Sequence, residues 1–289
     1  MSVRTAATPA AAEVERWEDP PARRRGPRWR LAVPPLLLAA AIVAVWYLVS
    51  YAVLDPLRRF LLPPPHRVIE VAFLDRDNAV VLLRALGLSA GVAMAGLAVA
   101  SVFGIAIAVL MSQARWVERA VYPWAVVLQT VPILALVPLI GFWFDFGLFS
   151  RLLVCVLVAI FPIISTTLFG LRSAEPANHD LFTLYGASRV DRLRKLQWPA
   201  ALPAVFAGLR ISAGLAVIGA IVGDFFFKQG EPGLGVLMEI YRQNLRSEQL
   251  FGAVILSSVL GVVVFWAFGF LGRRVIGTWH QTTSDLVAE

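Results

Sequence analysis

Residues 85–114 read ALGLSAGVAMAGLAVASVFGIAIAVLMSQA, thirty positions without a charged side chain. A helix of about 20 such residues already crosses a hydrocarbon core about 30 Å thick, so this stretch predicts a membrane span. Four more uncharged runs of comparable length follow the same logic, at 31–54, 120–144, 152–171 and 250–272. A sixth, 200–223, is interrupted only by Arg210 and is followed by Asp224. A long arginine stem snorkels or finds a partner inside a bundle, so one charge does not remove the segment from the set. Over 289 residues the chain is 58% hydrophobic and only 16% charged, against about 25% charged in soluble domains. These observations exclude a water-soluble globular protein and predict an all-α polytopic membrane protein with six transmembrane helices.

The net charge is +7. Its basic residues sit between apolar spans rather than on a folded basic domain, which points away from nucleic acid and towards the positive-inside bias of membrane proteins. With the N-terminus inside, 16 of the 26 Lys and Arg fall on the cytoplasmic side and eight on the other. Both termini are therefore expected in the cytoplasm. The first 30 residues, rich in Ala, Pro, Glu and Arg, read as a disordered tail, and 31–54 reads as a retained helix rather than a cleaved signal, being longer than a signal's apolar core and lacking a small-residue cleavage site.

Several familiar chemistries lack their partners. Gly87-Leu88-Ser89-Ala90-Gly91 matches the G-x-S-x-G of serine hydrolases, but it lies in an apolar span, and no span contains a histidine to act as base. Gly87, Gly91 and Ala95 instead read as a ridge of small residues allowing two helices to approach closely. The sole cysteine, Cys155, excludes an intrachain disulfide and reads as a packing residue, and His66, His179 and His280 have no metal-site spacing. No Walker A sequence occurs, so the chain is not expected to hydrolyse ATP. Pro132, Pro138 and Pro162 lie inside spans, where proline removes a backbone hydrogen bond and kinks a helix.

Polar residues within the spans are few. Gln129 and Thr130, Ser165 and Thr166, with Asp224 at a helix end, are the candidates to line a pathway. An ion-coupled secondary carrier, the alternative to an externally driven transporter, usually carries carboxylates at mid-depth, and none is found there.

The strongest local signal is 178–199, NHDLFTLYGASRVDRLRKLQWP. Leu181, Leu184 and Tyr185 fall at helical spacing after Asn178 or Asp180, either of which would cap a short helix. Gly186 supplies a stop, and Ser188-x-x-Asp191 reads as a capping box opening a second helix with Leu193 and Leu196 on one face. Pro199 is expected to end that helix. Arg189, Arg192, Arg194 and Lys195 form its polar side. Physics alone leaves two readings equal, a basic amphipathic anchor on lipid headgroups and a docking element for a protein partner.

The loop resembles the EAA motif, E-A-A-x3-G-x9-I-x-L-P, of membrane subunits of binding-protein-dependent ABC importers. Here it stands as Asp180-Leu181-Phe182-x3-Gly186-x9-Leu196-x-Trp198-Pro199. Both alanines are replaced by bulkier residues and the leucine by Trp. Val131-Pro132, Leu136-Val137-Pro138-Leu139, Phe142-Trp143-Phe144, Phe146-Gly147, Gly208-Leu209-Arg210-Ile211, Gly233-Leu234-Gly235 and Gly277-Thr278-Trp279 are similar to the nitrate, sulfonate and taurine permease group.

The resemblance implies a type I importer domain over 84–279, between the first helix and a cytoplasmic tail at 280–289. It implies a multi-pass permease of the bacterial inner membrane that forms the solute pathway as a homodimer in lipid, with no cofactor of its own. ATP and Mg would be bound by cytoplasmic ATPase subunits, and solute delivered by an extracytoplasmic binding protein. The loop between spans four and five would be the ATPase-coupling element, with Asp180, Gly186 and the basic face towards the ATPase. The solute would be a small sulfonate-, nitrate- or taurine-like anion, or a pyrimidine or vitamin precursor.

Overall fold

A computed structural model describes the backbone of residues 29–277 and the side chains of 33–277. The expected tails at 1–30 and 280–289, with Thr278, Trp279 and His280 and the arginines before the first span, fall outside the described residues apart from the backbone of 29 and 30. All regular structure among the described residues is helical. The chain divides into two units, Met1–Tyr47 and Leu48–Glu289. The first contains helix α1 (Trp29–Leu48) almost entirely, and the second holds the remaining elements.

The second unit begins with a π-helical turn, Val49–Val53, and a 3-10 turn, Pro56–Leu61. A short helix α2 (Pro65–Ile69) follows and runs into a second π turn, Glu70–Leu74. Asp75 then caps α3 (Arg76–Gln113), its carboxylate accepting the amide hydrogens of Asp77 and Asn78 at 3.0 and 3.2 Å. That satisfies two of the four free donors at the start of a helix. At 38 residues, α3 is about 57 Å long and carries Arg84 well inside it.

Helices α3, α6 (Leu148–Leu171), α9 (Trp198–Phe226) and α11 (Ser247–Ile276) are each long and apolar enough to span a membrane, as is the segment Val33–Val53. The expected span 120–144 is instead two helices, α4 (Arg115–Thr130) and α5 (Ile133–Phe144), bent by 100° at the break. The break falls at Pro132. This residue lacks the amide hydrogen needed to continue the ladder, and its ring forces Val131 out of helical geometry, to φ −66° and ψ 128°. Pro138 and Pro162 stay within α5 and α6, so of the three only Pro132 breaks its helix.

The core is a seam of small residues between α3, α6 and α9. Cys155 is fully buried beneath Gly96 and Gly219, as the packing reading requires. A Cβ on Gly219 would lie 2.9 Å from the Cys155 Cα, so the two helix backbones meet there with no room for a side chain. The face of α3 doing this work is Ser89, Val92, Ala93, Gly96, Leu97 and Ala100, all buried. The predicted ridge is the other face. Gly87, Gly91 and Ala95 are exposed, and the two glycines have no atom within 4 Å of an added Cβ. The apparent hydrolase serine, Ser89, turns inwards.

Candidate functional site

The 172–199 loop is a helical hairpin. Helix α7 (Pro176–Leu184) opens on Pro176, whose fixed φ suits a first helical position and whose missing amide hydrogen would be unbonded there in any case. No side chain caps it, and Asn178 and Asp180, the expected caps, lie inside the helix. Its end follows the sequence closely. Gly186 adopts φ +63°, its amide donates to the Thr183 carbonyl at 3.0 Å, and the Ala187 amide donates to Phe182 at 3.0 Å. This paired arrangement closes a helix with a left-handed residue that glycine occupies without steric cost.

Ser188 caps α8 (Arg189–Arg192) as expected. Its hydroxyl accepts the Asp191 amide hydrogen at 3.1 Å and donates to the Asp191 carboxylate at 2.5 Å. Lys195 Nζ stands 3.3 Å from the same carboxylate. Arg192 leaves the basic face to tie the hairpin together, donating from Nη2 to Thr183 Oγ1 at 2.9 Å, while Arg189, Arg194 and Lys195 remain exposed. Pro199 does not end the second helix. A π-helical turn, Leu193–Gln197, delays the hydrogen-bond register just before it, with the Trp198 amide donating to the Leu193 carbonyl. The wider ladder accommodates the proline, and helix is continuous over Arg189–Phe226.

The hairpin's roots are anchored and its tip is bare. Leu193 and Trp198 pack on Leu171, Ala201 and Val205, and Leu196 is half-buried. Arg172, just past α6, holds Glu118 of α4 with both terminal nitrogens, Nη1 to Oε1 at 2.6 Å and Nη2 to Oε2. That bidentate brace was not read from sequence, although Glu118 is the only acid among the basic residues of its short connection. By contrast Leu184 is 86% exposed and Tyr185 82%, with Leu181, Val190 and Asp180 also exposed. Of these, Leu181 and Tyr185 line an open cleft of about 600 Å³ together with Gly186, Ser188, Asp191 and Lys195.

The candidate pathway residues are not brought together. Gln129 and Thr130 are exposed at the end of α4, beside the Pro132 break. Ser165 and Thr166 are half-buried and bond back to the Pro162 carbonyl at 3.3 and 2.7 Å, and Thr166 also faces Gly208. Asp224 lines no surface of the protomer: it is wholly buried, ion-paired at 3.1 Å to Arg151 and hydrogen-bonded by Ser89 at 2.5 Å. Burial without such partners would cost several kcal/mol, so its position at the end of α9 reflects a partner in the fold rather than access to solute. Among the described residues no three His, Cys, Asp or Glu lie close enough to hold a metal ion.

Beyond α9, helix α10 (Leu234–Gln243) is amphipathic and buries Leu234, Leu237 and Tyr241 against Leu82, Ala85 and Ala253. Glu239 accepts from Arg242 Nε at 2.8 Å and Nη2 at 2.9 Å, and from Gln243 at 2.5 Å. The Arg242 hydrogen bond is the main force holding its carboxyl below the usual glutamate range.

Residues 100–277 match the family described as binding-protein-dependent transport system inner membrane component. The chain is 32% identical over 250 residues to the formylaminopyrimidine transport permease protein ThiX of Halalkalibacterium halodurans, covering 86% of this chain and 97% of that one. It is 30% identical to the putative aliphatic sulfonates transport permease protein SsuC of Escherichia coli, over 81% of this chain and 87% of that one. Among solved structures, a chain of the MetNI methionine ABC transporter in inward-facing conformations shares the fold, with a TM-score of 0.62 and 17% identity over 70% of this chain and 99% of that one. A bundle closed by small residues, with a bare helical hairpin at one end, is thus built on a known transporter plan, and the chain belongs to the binding-protein-dependent inner membrane components, as the permease subunit of an ABC importer.

Proposed function

We propose that the α7–α8 hairpin is the site where this permease takes up the motion of its ATPase. The observation that carries the reading is the exposure of Leu184 and Tyr185 at the tip of a hairpin whose turn is fixed by Gly186. Apolar side chains so placed stabilise a complex when a partner covers them, and aromatic anchors contribute most to such interfaces. Asp180, Arg189, Arg194 and Lys195 would frame that contact, and Ser188 and Arg192 would hold the turn in shape. The family is binding-protein-dependent, which supplies the two partners, a cytoplasmic ATPase and a solute-binding protein, and sets the ion-coupled carrier aside.

Two copies of the chain would enclose the pathway in lipid, with both termini in the cytoplasm and the segment 227–249 facing the binding protein. Gln129 and Thr130, at the break between α4 and α5, and Ser165 and Thr166 on α6 are the polar side chains proposed to line it. The solute is proposed to be a small sulfonate-, nitrate- or taurine-like anion, or a pyrimidine or vitamin precursor, in line with the aliphatic sulfonates and formylaminopyrimidine for which the two relatives are named.

The test is affinity purification of the tagged chain from native membranes. A stoichiometric ATP-binding subunit should accompany the native chain and be lost from Gly186→Arg, with membrane insertion unchanged. Full recovery of the subunit on a correctly inserted Gly186→Arg chain would sink the reading, and the hairpin would revert to a headgroup anchor. Uptake of labelled taurine, an alkanesulfonate, nitrate and formylaminopyrimidine by cells that produce the chain with its ATPase and binding protein then separates the solute classes.

A further inference from the structure

Helices α6 and α9 lead into and out of the α7–α8 hairpin, and they touch along their whole length. Ala201 lies beneath Gly170, Gly208 on Thr166, Gly219 on Cys155, and Gly223 on Arg151, while Ser212 Oγ donates to the Ala159 carbonyl at 2.7 Å. On α9 these positions step by seven, four, seven and four residues, which keeps them on one face from end to end.

The far end of this seam is closed by charge. Arg151, in the first turn of α6, and Asp224, in the last turn of α9, form an ion pair at 3.1 Å with side chains 4% and 0% exposed. Arg151 also donates from Nε and Nη2 to the Phe227 carbonyl at 3.1 and 2.7 Å. The same guanidinium reaches Gln229 at 2.9 Å and Glu231 at 3.2 Å. Asp224 accepts from Ser89 of α3, and Ser89 in turn accepts the Leu234 amide hydrogen at 2.8 Å, at the first residue of α10. Leu234 is flanked by Gly233 and Gly235, and a Cβ on either would run into Asp224.

We infer that Arg151 and Asp224 are positioning residues. They clasp α6 and α9 into one lever, so that displacement of the α7–α8 hairpin at one end moves the 227–249 segment at the other. A buried ion pair is poor evidence for stability, because an apolar pair of equal volume packs as well, and its attested use is to fix one arrangement among several. Only the charged pair holds three carbonyls of the 227–231 strip and, through Ser89 inside α3, the start of α10 to the ends of α6 and α9. Among the described residues no ion pair ties the α4–α5 pair to this end: α5 is held there by Ser150 Oγ, which donates to the Phe144 and Asp145 carbonyls at 3.3 and 2.5 Å, and α4 joins the lever's other end through the part-exposed Glu118–Arg172 bridge. The lever rests on the coupling role proposed for the hairpin, and it adds where that motion goes.

The test uses the complete importer with its ATPase and binding protein, in lipid nanodiscs. In a Cys155→Ala background, nitroxide labels at Val190→Cys in α8 and, separately, at Asn244→Cys beyond α10 report distances between subunits with and without ATP and vanadate. In the native clasp both distances shift on trapping. In Arg151→Met/Asp224→Leu the Val190 shift is expected to persist and the Asn244 shift to be lost. Asp224→Asn, which keeps the side-chain shape, gives the same reading if the double variant does not accumulate. An Asn244 shift of native size in either variant overturns the clasp. Loss of both shifts overturns it too, since the pair would then serve stability alone. A Val190 label that never moves in the native complex removes the coupling role itself, a result distinct from either.

Discussion

The guanidinium carbon of Arg210 lies 4.0 Å from the centre of the Phe265 ring, so the charge inside the 200–223 span rests on an aromatic face from α11. Its Nε is buried without a hydrogen-bond partner, and the Gly269 notch beside it leaves room for the guanidinium, 3.2 Å from where a Cβ would stand. A cation over a ring is attracted by the ring's negative face, and the attraction grows where water is absent. Phe265→Leu should therefore lower the thermal midpoint in detergent, and should do so much less in an Arg210→Leu background. The expected coupling in the double-mutant cycle is about 1 kcal/mol. Strictly additive effects would mean that Arg210 merely snorkels.

The hairpin turn makes a sharper prediction about residue type. At φ +63° a side chain with a Cβ costs about 1–2 kcal/mol, least for Asn and most for β-branched residues. Gly186→Asn should retain transport, Gly186→Ala should reduce it, and Gly186→Val should abolish it while the spans insert normally. Uptake measured beside membrane-fraction yield checks the order. If Gly186→Val transports as the native chain does, the left-handed turn is not required.

Much of this molecule is legible in its sequence because the physics is local. Charge-free length marks Leu148–Leu171, Ser247–Ile276 and most of the other spans, and Gly186 and Ser188 mark the hairpin turn because each satisfies backbone groups within a few residues. What fails to show is relational. Asp224 reads as a candidate lining residue until Arg151, 73 positions earlier, is seen to reach it. The Gly87 ridge looks like a packing surface because spacing identifies a face without saying which way the helix is turned. The break at Pro132 is ambiguous for another reason. Pro138 and Pro162, equally embedded in apolar sequence, remain helical, so proline alone does not decide between a kink and a 100° bend.

That difference between the two faces of α3 and its neighbours is measurable. Gly219 lies against the Cys155 backbone, where a Cβ would stand 2.9 Å from Cα and 3.3 Å from N, and neither backbone atom can move without separating α6 from α9. Gly219→Leu should remove folded protein from the membrane fraction, since overpacking of this kind commonly costs about 1–3 kcal/mol or more. Gly87→Leu and Gly91→Leu meet open space and should leave the yield and thermal midpoint of the protomer unchanged. Any loss in those two would then appear in the oligomeric state, read by light scattering on the detergent-solubilised chain. Equal collapse of all three would contradict the packing described.

The acid limb of stability has an assignable contributor outside the spans. Glu239 has its carboxyl held below the ordinary glutamate value, first by the Arg242 hydrogen bond and further by Gln243, against the opposing effect of burial. A carboxyl with a folded pKa below its unfolded one binds protons more tightly when unfolded. Its contribution is complete above the unfolded value, about 4.3, and is lost as pH falls through the lowered folded value. Native chain should accordingly exceed Glu239→Gln in protection of α10 amides from hydrogen exchange near neutral pH, and the gap should close as pH falls below about 4. Arg242→Ala should narrow the same gap at neutral pH, because the group that depresses the carboxyl is gone. A gap that is constant with pH would mean that Glu239 acts through shape and neutral hydrogen bonding, and that Arg242, which is 62% exposed, is too well solvated to hold it.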